Sequence, residues 1–391
     1  MTVTMKTADK VLKSAYLDVI SEYLDYKVNP FLAKIKKTSE NVSGKEIKKI
    51  VKVGVNGGVG VGSEDGELPT AYGNQYAEFK LSLKNLYGTI EITDKAIRAS
   101  ESKSGAITNV LNDEINSLLH AANFNFSRMI FGNGQGFLGN VKSFSNDFVV
   151  VDNINNFAEG MAIQFYNKAG ALLHDGKAFR ILNIDRYSKT VYVDGDLDYE
   201  DFSHVSYVVA ANSNGKEITG LMSIFDENVE LVYGLPKYNY ISLFPTAKKE
   251  VGEITEMKIQ AEIDRIEDSF GGKINFILCS SGVKRALMNH LSTYKRNIET
   301  MDIQGGYKTI TFNGIPVVSD RFCPPGTMFL LNTDDFAIHQ LCDWQWLESE
   351  DGRILRQLEN KPVYRATLVK YCDLLCSRPW AQGALMNITE A

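Results

Sequence analysis

The longest regular alternation of apolar and polar positions runs from Ala106 to Gly132. Its apolar residues recur at steps of three and four, which places them on one stripe of an α-helix. That stripe includes Val110, Leu111, Ile115, Leu118 and Leu119. Ser104 and Gly105 precede the helix as a capping candidate, and the Gly-Asn-Gly run that starts at Gly132 predicts its end. At ~1.5 Å per residue the helix is about 40 Å long. We expect it to be the spine on which other elements pack.

An amphipathic helix is also predicted near the N-terminus. Apolar residues come in pairs four positions apart between Val11 and Leu24. This spacing favours a helix with one apolar face, and Asn29-Pro30 ends the pattern. The face packs either on its own domain or on a partner, and the sequence leaves both alternatives open.

Two extended segments with a glycine-rich tip between them predict a long β-ribbon. The first arm covers residues 50–55 and contains Val51 and Val53, and the second runs from Tyr76 to Ile92. In the second arm apolar residues alternate with polar ones at the period of a half-buried strand; these residues are Phe79, Lys80, Leu81, Ser82, Leu83 and Lys84. Isolated two-stranded ribbons are marginally stable and expose backbone edges. The apolar face must therefore be covered by the same chain or by another copy.

After the long helix, residues 141–218 change to short apolar segments separated by turn signals such as Asp194-Gly195. The predicted strands are Phe148–Val151, Met161–Tyr166, Phe179–Ile184, Thr190–Val193 and Val205–Val209. Short strands at this spacing favour a small inserted β-barrel or sandwich. The aromatic-rich segment from Gly234 to Phe244 is interpreted as a connector.

The last third predicts helices that brace mixed sheets. Helical stripes cover residues 259–270 and 283–294, with Ser280 or Ser281 as a cap, and Ile274–Cys279 is predicted to be a central strand buried on both faces. Five further strands are predicted at Thr309–Phe312, Ile315–Ser319, Thr327–Leu331, Phe336–Leu341 and Val363–Leu375. The fold class is therefore α+β.

Composition limits the function classes. The 391 residues are 44% hydrophobic and 23% charged, as in ordinary globular proteins. No apolar run approaches the ~18 residues of a membrane span, so we expect no membrane association. The N-terminus does not resemble a signal peptide, and five cysteines favour a reducing compartment. A net charge of −6 argues against a dedicated nucleic-acid binder.

Three patterns are candidates for chemistry, and each has a simpler structural interpretation. Gly134, Gly136 and Gly139 satisfy G-x-G-x-x-G, but the motif follows a helix and not a strand, so a helix terminator is favoured. His339, Cys342, Cys372 and Cys376 contain zinc-ligand residue types. Cys372 and Cys376 lie in one predicted strand about 13 Å apart, too far for one metal ion. We expect no metal and no cofactor.

The third pattern is a nucleophile candidate. Cys279, Ser280 and Ser281 follow a buried strand and open a helix, but the first glycine of G-x-S-x-G is replaced by Leu278. None of the five histidines stands in a motif with a carboxylate. We therefore expect no catalytic site.

The order of these parts resembles the major capsid protein of tailed bacteriophages, which has the Hong Kong 97 phage fold. The segments that carry the resemblance are Gly305-Gly306-Tyr307, the run from Thr311 to Asp320, and the run from Cys323 to Asn332. The segments Trp344–Gly352 and Tyr364–Leu374 also resemble that family. The resemblance implies five parts, namely a helical N-arm (1–45), an E-loop ribbon (46–92), a spine-helix region of the P-domain (93–140), an inserted β-barrel-like domain (141–220), and the remaining P-domain with the A-domain (221–391).

The resemblance also implies a function. Copies of the chain are expected to assemble as hexamers and pentamers into an icosahedral head around double-stranded DNA, in the host bacterial cytoplasm, and to become part of the virion. The ribbon residues Val51, Val53, Phe79, Lys80, Leu81, Leu83 and Lys84 are then expected to contact a neighbouring subunit. Expected partners are a portal, a decoration protein and a scaffolding protein. The scaffold is expected to be a separate protein because only about 45 residues precede the ribbon.

Some members of that family cross-link a lysine to an asparagine between subunits. Lys80 and Lys84 fall on the predicted ribbon, but the sequence identifies no asparagine and acid to complete the set, so no cross-link is expected. Two rival functions remain. One is an encapsulin-like nanocompartment shell, which the β insertion disfavours. The other is a cytosolic hydrolase that uses Cys279, Ser280 or Ser281 with one histidine.

Overall fold

The chain folds into many strands and few helices. The computed structural model describes residues 29–95, 106–195, 197, 205–245, 247–294, 300–303, 307–349 and 352–391. The amphipathic helix predicted between Val11 and Leu24, and the cap predicted at Ser104, lie outside the described residues. The described helices are α1 Ala106–Phe131, α2 Leu221–Phe225, α3 Glu256–Phe270 and α4 Ser281–Tyr294. The mixed α and β content predicted from the sequence is confirmed.

The described strands carry the labels β1 to β22 in chain order. The first eleven are β1 Lys36–Thr38, β2 Val42–Ser43, β3 Glu46–Val53, β4 Gln75–Ser82, β5 Lys84–Thr93, β6 Phe137–Ser145, β7 Phe148–Val151, β8 Ala162–Asn167, β9 Phe179–Asp185, β10 Thr190–Val193 and β11 Val205–Ala210. The others are β12 Leu231–Val232, β13 Leu235–Pro236, β14 Phe276–Cys279, β15 Thr300–Ile303, β16 Tyr307–Phe312, β17 Ile315–Ser319, β18 Met328–Leu331, β19 Phe336–Trp346, β20 Arg356–Gln357, β21 Val363–Cys376 and β22 Gly383–Leu385. Among the described residues, no helix is long and apolar enough to cross a membrane.

The chain divides into two compact units. Of the described residues, the first unit takes 29–34, Lys84–Gly220 and Gln340–Cys372, and the second takes Ile35–Leu83, Leu221–His339 and Asp373–Ala391. In the first unit, α1 confirms the long helix predicted from the apolar stripe, and it ends where Gly132 begins the glycine run. Ile115 and Leu119 are buried and Leu118 is half-buried, whereas the side chains of Val110 and Leu111 lie outside the described part of the chain.

Six strands of the first unit close into a barrel, in the order β10-β7-β6-β11-β8-β9. Neighbouring strands in it are antiparallel. Apolar side chains from every strand fill the interior, including Leu138, Val149, Phe165, Ile181, Val191 and Val208. The predicted short strands are present, and the structure selects the barrel over the sandwich. Its first strand starts at Phe137, a few residues before the predicted start of the insertion.

Strand β5 corrects the predicted ribbon. The alternation from Tyr76 to Ile92 was interpreted as one arm, but the chain breaks it at Leu83. Residues before the break pair with β3, whereas β5 pairs antiparallel with β21, from Lys84 opposite Cys372 to Thr93 opposite Val363. Periodicity of two identifies a strand and its faces, but it does not identify the partner strand. The ribbon therefore ends at Ser82 and not at Ile92.

The second unit is built on a six-stranded sheet, in the order β15-β16-β17-β14-β18-β22. Strand β14 lies in its interior, parallel to β17 and antiparallel to β18, and its four side chains are buried. This confirms the central strand predicted from its uniform apolar sequence. Apolar side chains of α3 and α4 share one core with the sheet, including Ile259, Ile263, Ile266, Val283, Leu287 and Leu291.

Both core helices of this unit start at hydroxyl caps. The side chain of Thr255 accepts a hydrogen bond from the Lys258 backbone N–H at 3.3 Å, and Ser280 Oγ accepts one from the Val283 N–H at 3.3 Å. Helix α3 ends at Gly271, whose φ of 58° lies in the left-handed region that favours glycine. Of the two caps predicted for α4, Ser280 is the one used, and Ser281 is the first helical residue.

Candidate assembly interface

The β-ribbon of the second unit has one buried face and one exposed face. Strands β3 and β4 pair antiparallel over eight residues each, from Glu46 opposite Ser82 to Val53 opposite Gln75. Because side chains alternate across a strand, the ribbon has an inner and an outer face. The inner face is buried and carries Ile47, Val51, Ala77, Phe79 and Leu81.

Two aromatic residues of the same unit cover the inner face. The Phe79 ring is fully buried and lies 5.2 Å from the Tyr233 ring and 6.3 Å from the Phe244 ring, centroid to centroid. The Lys80 backbone N–H donates to the Tyr233 carbonyl at 2.8 Å. The paired strands of the ribbon, Glu46–Val53 and Gln75–Ser82, form its base, and this ribbon base is held by ring packing and by a backbone hydrogen bond.

Tyr233 is in turn fixed from its other end. Its hydroxyl accepts a hydrogen bond from the Cys376 backbone N–H at 3.0 Å. Burial raises the pKa of the Tyr233 phenol well above its ordinary value, so the group stays neutral. The next residue, Gly234, has a φ of 76°, and a Cβ there would lie 3.0 Å from the Lys80 carbonyl oxygen. A glycine at this turn lets the hairpin approach the ribbon closely.

These contacts correct the expected interface. Val51, Phe79 and Leu81 were expected to meet a neighbouring subunit, but their own unit buries them, at 6%, 0% and 6% exposure. Val53 and Leu83 are half-buried. The alternation predicted an apolar face correctly, but it could not show that residues 150 positions away cover that face.

Lys84 does not lie on the ribbon either. It opens β5 in the first unit, where its Nζ donates to the Gly215 carbonyl at 3.1 Å. Lys80 does lie on the ribbon, and its side chain is 51% exposed. Of the two lysines considered for cross-linking, the ribbon therefore carries Lys80 alone.

The outer face of the ribbon combines lysines with exposed apolar side chains. Lys48, Lys52 and Lys80 are exposed there, and so are Ile50 at 71% and Tyr76 at 63%. Glu78 also lies on this face. Glu46 contacts Lys48 at 3.2 Å and Lys80 at 3.1 Å, and hydrogen bonds from these two lysines lower the pKa of the Glu46 carboxyl.

The tip of the ribbon, residues 54–74, is more exposed still. Its apolar side chains include Val55 at 89%, Val59 at 89%, Val61 at 102% and Leu68 at 91% exposure. Glu64, Asp65 and Glu67 are exposed, and the tip contains no lysine, arginine or histidine. The tip is therefore an acidic loop with an uncovered apolar surface.

The nucleophile candidates have structural roles. Burial raises the pKa of the Cys279 thiol to about 12, which keeps it protonated and weakly nucleophilic. The Ser280 hydroxyl donates to the Glu390 carboxylate while it caps α4. The same carboxylate accepts from the Gly326 backbone N–H at 2.7 Å. This cluster ties the C-terminal segment to the start of the helix.

The cysteines considered for a metal site and the glycines of the G-x-G-x-x-G pattern also have structural roles. Cys372 and Cys376 lie in β21, as predicted, and both are buried. Within the described ranges, no three His, Cys, Asp or Glu side chains are placed to hold a metal ion. Gly134 and Gly136 have positive φ values in the turn that leads from α1 to β6, which is the helix terminator that the sequence favoured.

Sequence reasoning missed the residues that cover the ribbon. Phe244 ends the segment from Gly234 that was interpreted as a connector, and Tyr233 directly precedes that segment. The segment instead contributes β13 of the β12–β13 hairpin and a short 3₁₀ turn at Ile241–Leu243. The density of aromatic residues there was the available signal, because aromatic side chains supply much of the buried area of a core.

One protein family and several solved structures are similar to this chain. Residues 196–354 match the family model of the SU10 major capsid protein. The capsid asymmetric unit of cyanophage A-1(L) is 14% identical, with a TM-score of 0.58 and coverage of 93% of this chain and 94% of that one. The SrpI encapsulin complex of Synechococcus elongatus is 11% identical, with a TM-score of 0.49 and coverage of 93% and 89%. The capsid of the myovirus XM1 is 8% identical, with a TM-score of 0.46 and coverage of 92% of each chain. No curated protein matches the chain in sequence.

The fold and the family match over residues 196–354 support a structural capsid role. The fold is the Hong Kong 97-like fold of phage capsid proteins, and the matched segment is similar to the major capsid protein of a phage. The resemblance to the capsid proteins of tailed phages that was stated from the sequence is confirmed.

Proposed function

We propose that copies of this chain assemble as hexamers and pentamers and close into an icosahedral head that encloses double-stranded DNA. The observation that carries this proposal is the uncovered ribbon tip, where Val55, Val59, Val61 and Leu68 are each about nine-tenths exposed or more. Soluble monomers rarely expose contiguous apolar surface unless it is an interaction site. A second copy of the chain is the partner that a shell supplies at every position.

The ribbon would contact its neighbour through the tip and the outer face, since the inner face is occupied. Single interfaces between subunits of about 1,200–2,000 Å² are enough for specific association. Each subunit in a closed shell has several neighbours, so release requires that many contacts break together. This multivalency would make a shell of individually modest contacts stable.

The parts of the fold carry the corresponding assignments. Residues 46–82 would be the E-loop, α1 the spine helix, the six-stranded sheet with its helices the A-domain, and the barrel an inserted domain. A separate scaffolding protein, a portal and a decoration protein are the partners proposed for assembly in the host bacterial cytoplasm. The net charge of −6 supports loose, non-specific retention of DNA.

Assembly of the purified chain tests the proposal. We expect expression of the chain, alone and with its genomic neighbours, to yield capsomers of five and six copies or megadalton shells by sedimentation and negative-stain microscopy. Filled heads from infected cells should contain double-stranded DNA. A protein that stays monomeric at high concentration in both settings, or shells that hold a protein cargo and no DNA, would contradict it.

A further inference from the structure

Four asparagines of the chain directly precede a glycine, a context in which an asparagine reacts with its own backbone. They are Asn56, Asn133, Asn214 and Asn313. The backbone nitrogen of the following residue attacks the side-chain amide carbon, and glycine favours the attack because it has no Cβ to block the approach. Asparagine is accordingly one of the thermolabile residues of proteins. The four sites differ in what holds the side chain and the backbone.

Asn56, in the ribbon tip, is held in a reactive arrangement. Its side chain folds forward over the following peptide, because Asn56 Oδ1 accepts a hydrogen bond from the Gly58 backbone N–H at 2.8 Å. This contact closes an Asx turn, which keeps the amide carbon close to the intervening Gly57 nitrogen. The Gly58 N–H also stabilises the negative charge that develops on Oδ1 during the attack.

The attacking and leaving groups of this site are free to react. Asn56 and Gly57 are both exposed. Among the described residues, neither the Gly57 N–H nor the Asn56 Nδ2 makes a hydrogen bond. Both residues lie outside the paired strands of the ribbon, so no ladder hydrogen bond fixes this part of the backbone. The peptide between them can therefore rotate as ring closure requires.

Two of the other asparagines are more tightly held. Asn313 occupies the hairpin turn between β16 and β17 with a φ of 49°, and its Nδ2 donates to Gln260 Oε1 at 2.8 Å. Both its backbone and its leaving nitrogen are thus fixed. Asn133 makes an Asx contact like that of Asn56, since its Oδ1 accepts from the Gln135 N–H at 3.2 Å, but Asn133 is half-buried.

Asn214 is exposed but lacks the activating contact. It lies in a turn closed by the Lys216 N–H and the Ser213 carbonyl at 2.9 Å, which holds the backbone. No described residue makes a hydrogen bond that would hold the Asn214 side chain over the next peptide. Activation by a hydrogen bond, solvent exposure and a free backbone therefore coincide at Asn56.

We infer that Asn56 is a spontaneous modification site, at which a succinimide forms with Gly57 and opens to aspartate and isoaspartate. In the first step a bond forms between the Gly57 nitrogen and Asn56 Cγ, the Cγ–Nδ2 bond breaks, and ammonia leaves with the proton of the Gly57 N–H. In the second step a solvent water adds to one of the two ring carbonyls and breaks its bond to the nitrogen, which regains a proton. Opening at Cγ gives aspartate, and opening at the backbone carbonyl gives isoaspartate.

The reaction changes the chemistry of the ribbon tip. Each event replaces a neutral amide with a carboxylate, in a tip that already has three acidic side chains and no basic one. The isoaspartate product also inserts an additional methylene group into the backbone. Every copy of the chain carries the site, so the negative charge of the tips increases with the age of the protein.

Peptide mass spectrometry of the purified full chain, incubated at mildly alkaline pH, tests the inference. We expect the Asn56 peptide to acquire the mass of a carboxyl in place of an amide at least about tenfold faster than the peptides of Asn133, Asn214 and Asn313. Methyl labelling by protein L-isoaspartate methyltransferase should mark the Asn56 peptide. In urea the four sites lose their surroundings, so their rates should converge, and Asn56 should react no faster there than in the folded chain.

Gly57→Ala isolates the ring closure. A Cβ at this position would lie 3.6 Å from the Tyr72 side chain, an ordinary contact, so the subunit should fold like the wild type. The added methyl group hinders the attack, and we expect the rate at Asn56 to fall about tenfold or more. Gly73→Ala is the matched control in the same tip, because its Cβ meets nothing within 4 Å, and it should leave the rate unchanged.

Two results would overturn the inference. One is an Asn56 that stays unmodified in the folded chain under conditions that modify it in urea. The other is an equal or higher rate at any of the other three Asn-Gly sites of the folded chain. Circular dichroism before and after incubation verifies that the folded chain is the species measured.

Discussion

Arg128 and Glu217 form a two-point ion pair in which each side chain is 3% exposed. Arg128 Nη1 donates to Glu217 Oε2 at 3.0 Å, and Nη2 donates to Oε1. Arg128 belongs to the last turns of α1, and Glu217 follows the last barrel strand. The pair therefore ties the segment that follows the barrel to α1, the helix that precedes the barrel.

Removal of one partner should be costly. Glu217→Gln leaves the Arg128 charge buried and uncompensated, and we expect the free energy of unfolding to fall by about 3–5 kcal/mol in urea titration of the subunit. Replacement of both, as Arg128→Met with Glu217→Leu, should cost much less. Glu159→Gln is the control, because Glu159 pairs with Arg186 on the exposed barrel surface and should change stability by less than about 1 kcal/mol. Equal losses of stability in Glu217→Gln and Glu159→Gln would contradict this expectation.

The ribbon base should depend on a single ring. Phe79→Ala removes a fully buried side chain from its packing with Tyr233 and Phe244, and we expect a loss of about 3–5 kcal/mol. Tyr76→Ala changes the same strand on its exposed face and should alter subunit stability by about 0.5 kcal/mol or less. Thermal or urea unfolding of both variants gives the comparison. A Phe79→Ala subunit as stable as the wild type would contradict the expected contribution of this ring to the packing with Tyr233 and Phe244.

Replacement of Gly220 by any residue with a side chain should destabilise the subunit. A Cβ at this position would lie 2.5 Å from the Gly132 carbonyl oxygen and 2.6 Å from the Ile130 carbonyl oxygen, at the end of α1. We expect Gly220→Ala to destabilise the subunit by about 2 kcal/mol or more, since backbone atoms must move. Gly73→Ala is matched to it, because its Cβ meets nothing within 4 Å, and it should be neutral or slightly stabilising. Soluble yield and thermal midpoints distinguish them.

Asp320 should give stability a pH dependence. Burial raises the pKa of its carboxyl to about 6 in the folded chain, against an ordinary value of 3.8. Oδ1 accepts from the Phe322 N–H at 2.8 Å, whereas Oδ2 is buried with no hydrogen-bond partner among the described residues. The protonated carboxyl is the form that the fold favours. Its stabilising contribution is complete below about pH 4 and is lost as pH rises through about 6.

Comparison with Asp320→Asn isolates this effect. Between pH 4 and pH 7, we expect the free energy of unfolding of the wild type to fall relative to the variant by up to about 3 kcal/mol. Urea titrations at several pH values measure the difference. A difference that is constant with pH, or that grows in favour of the wild type, would show that the carboxyl is ionised in the folded chain.

Mature particles should lack covalent cross-links between subunits. Lys80 contacts Glu46, and Lys84 donates to a backbone carbonyl in the first unit. Denaturing gels of purified heads should therefore show one band near 43.6 kDa. A ladder of higher bands that disappears in Lys80→Arg would reveal a cross-link.

Local patterns predicted most of the elements but not their partners. The stripe of α1, the strands of the barrel and the uniformly apolar β14 are readable because 3.6-residue and two-residue periods arise within a single segment. The arm from Tyr76 to Ile92 has one unbroken pattern, yet its halves pair with different strands, β3 and β21. The partner strand lies elsewhere in the chain, near in sequence for β4 and far away for β5, and a local pattern does not contain it.

The ribbon also separates what the sequence predicts from what the tertiary structure decides. The sequence determined that an apolar face and a glycine-rich acidic tip exist, and it determined the α+β class and the resemblance to phage capsid proteins. Only the tertiary structure decided that Phe79 meets Tyr233 inside one chain and that the tip stays uncovered. The physical reason is that burial is a property of three-dimensional neighbours. The polarity of a side chain determines whether burial is favourable, and the fold determines whether residues of the same chain bury it.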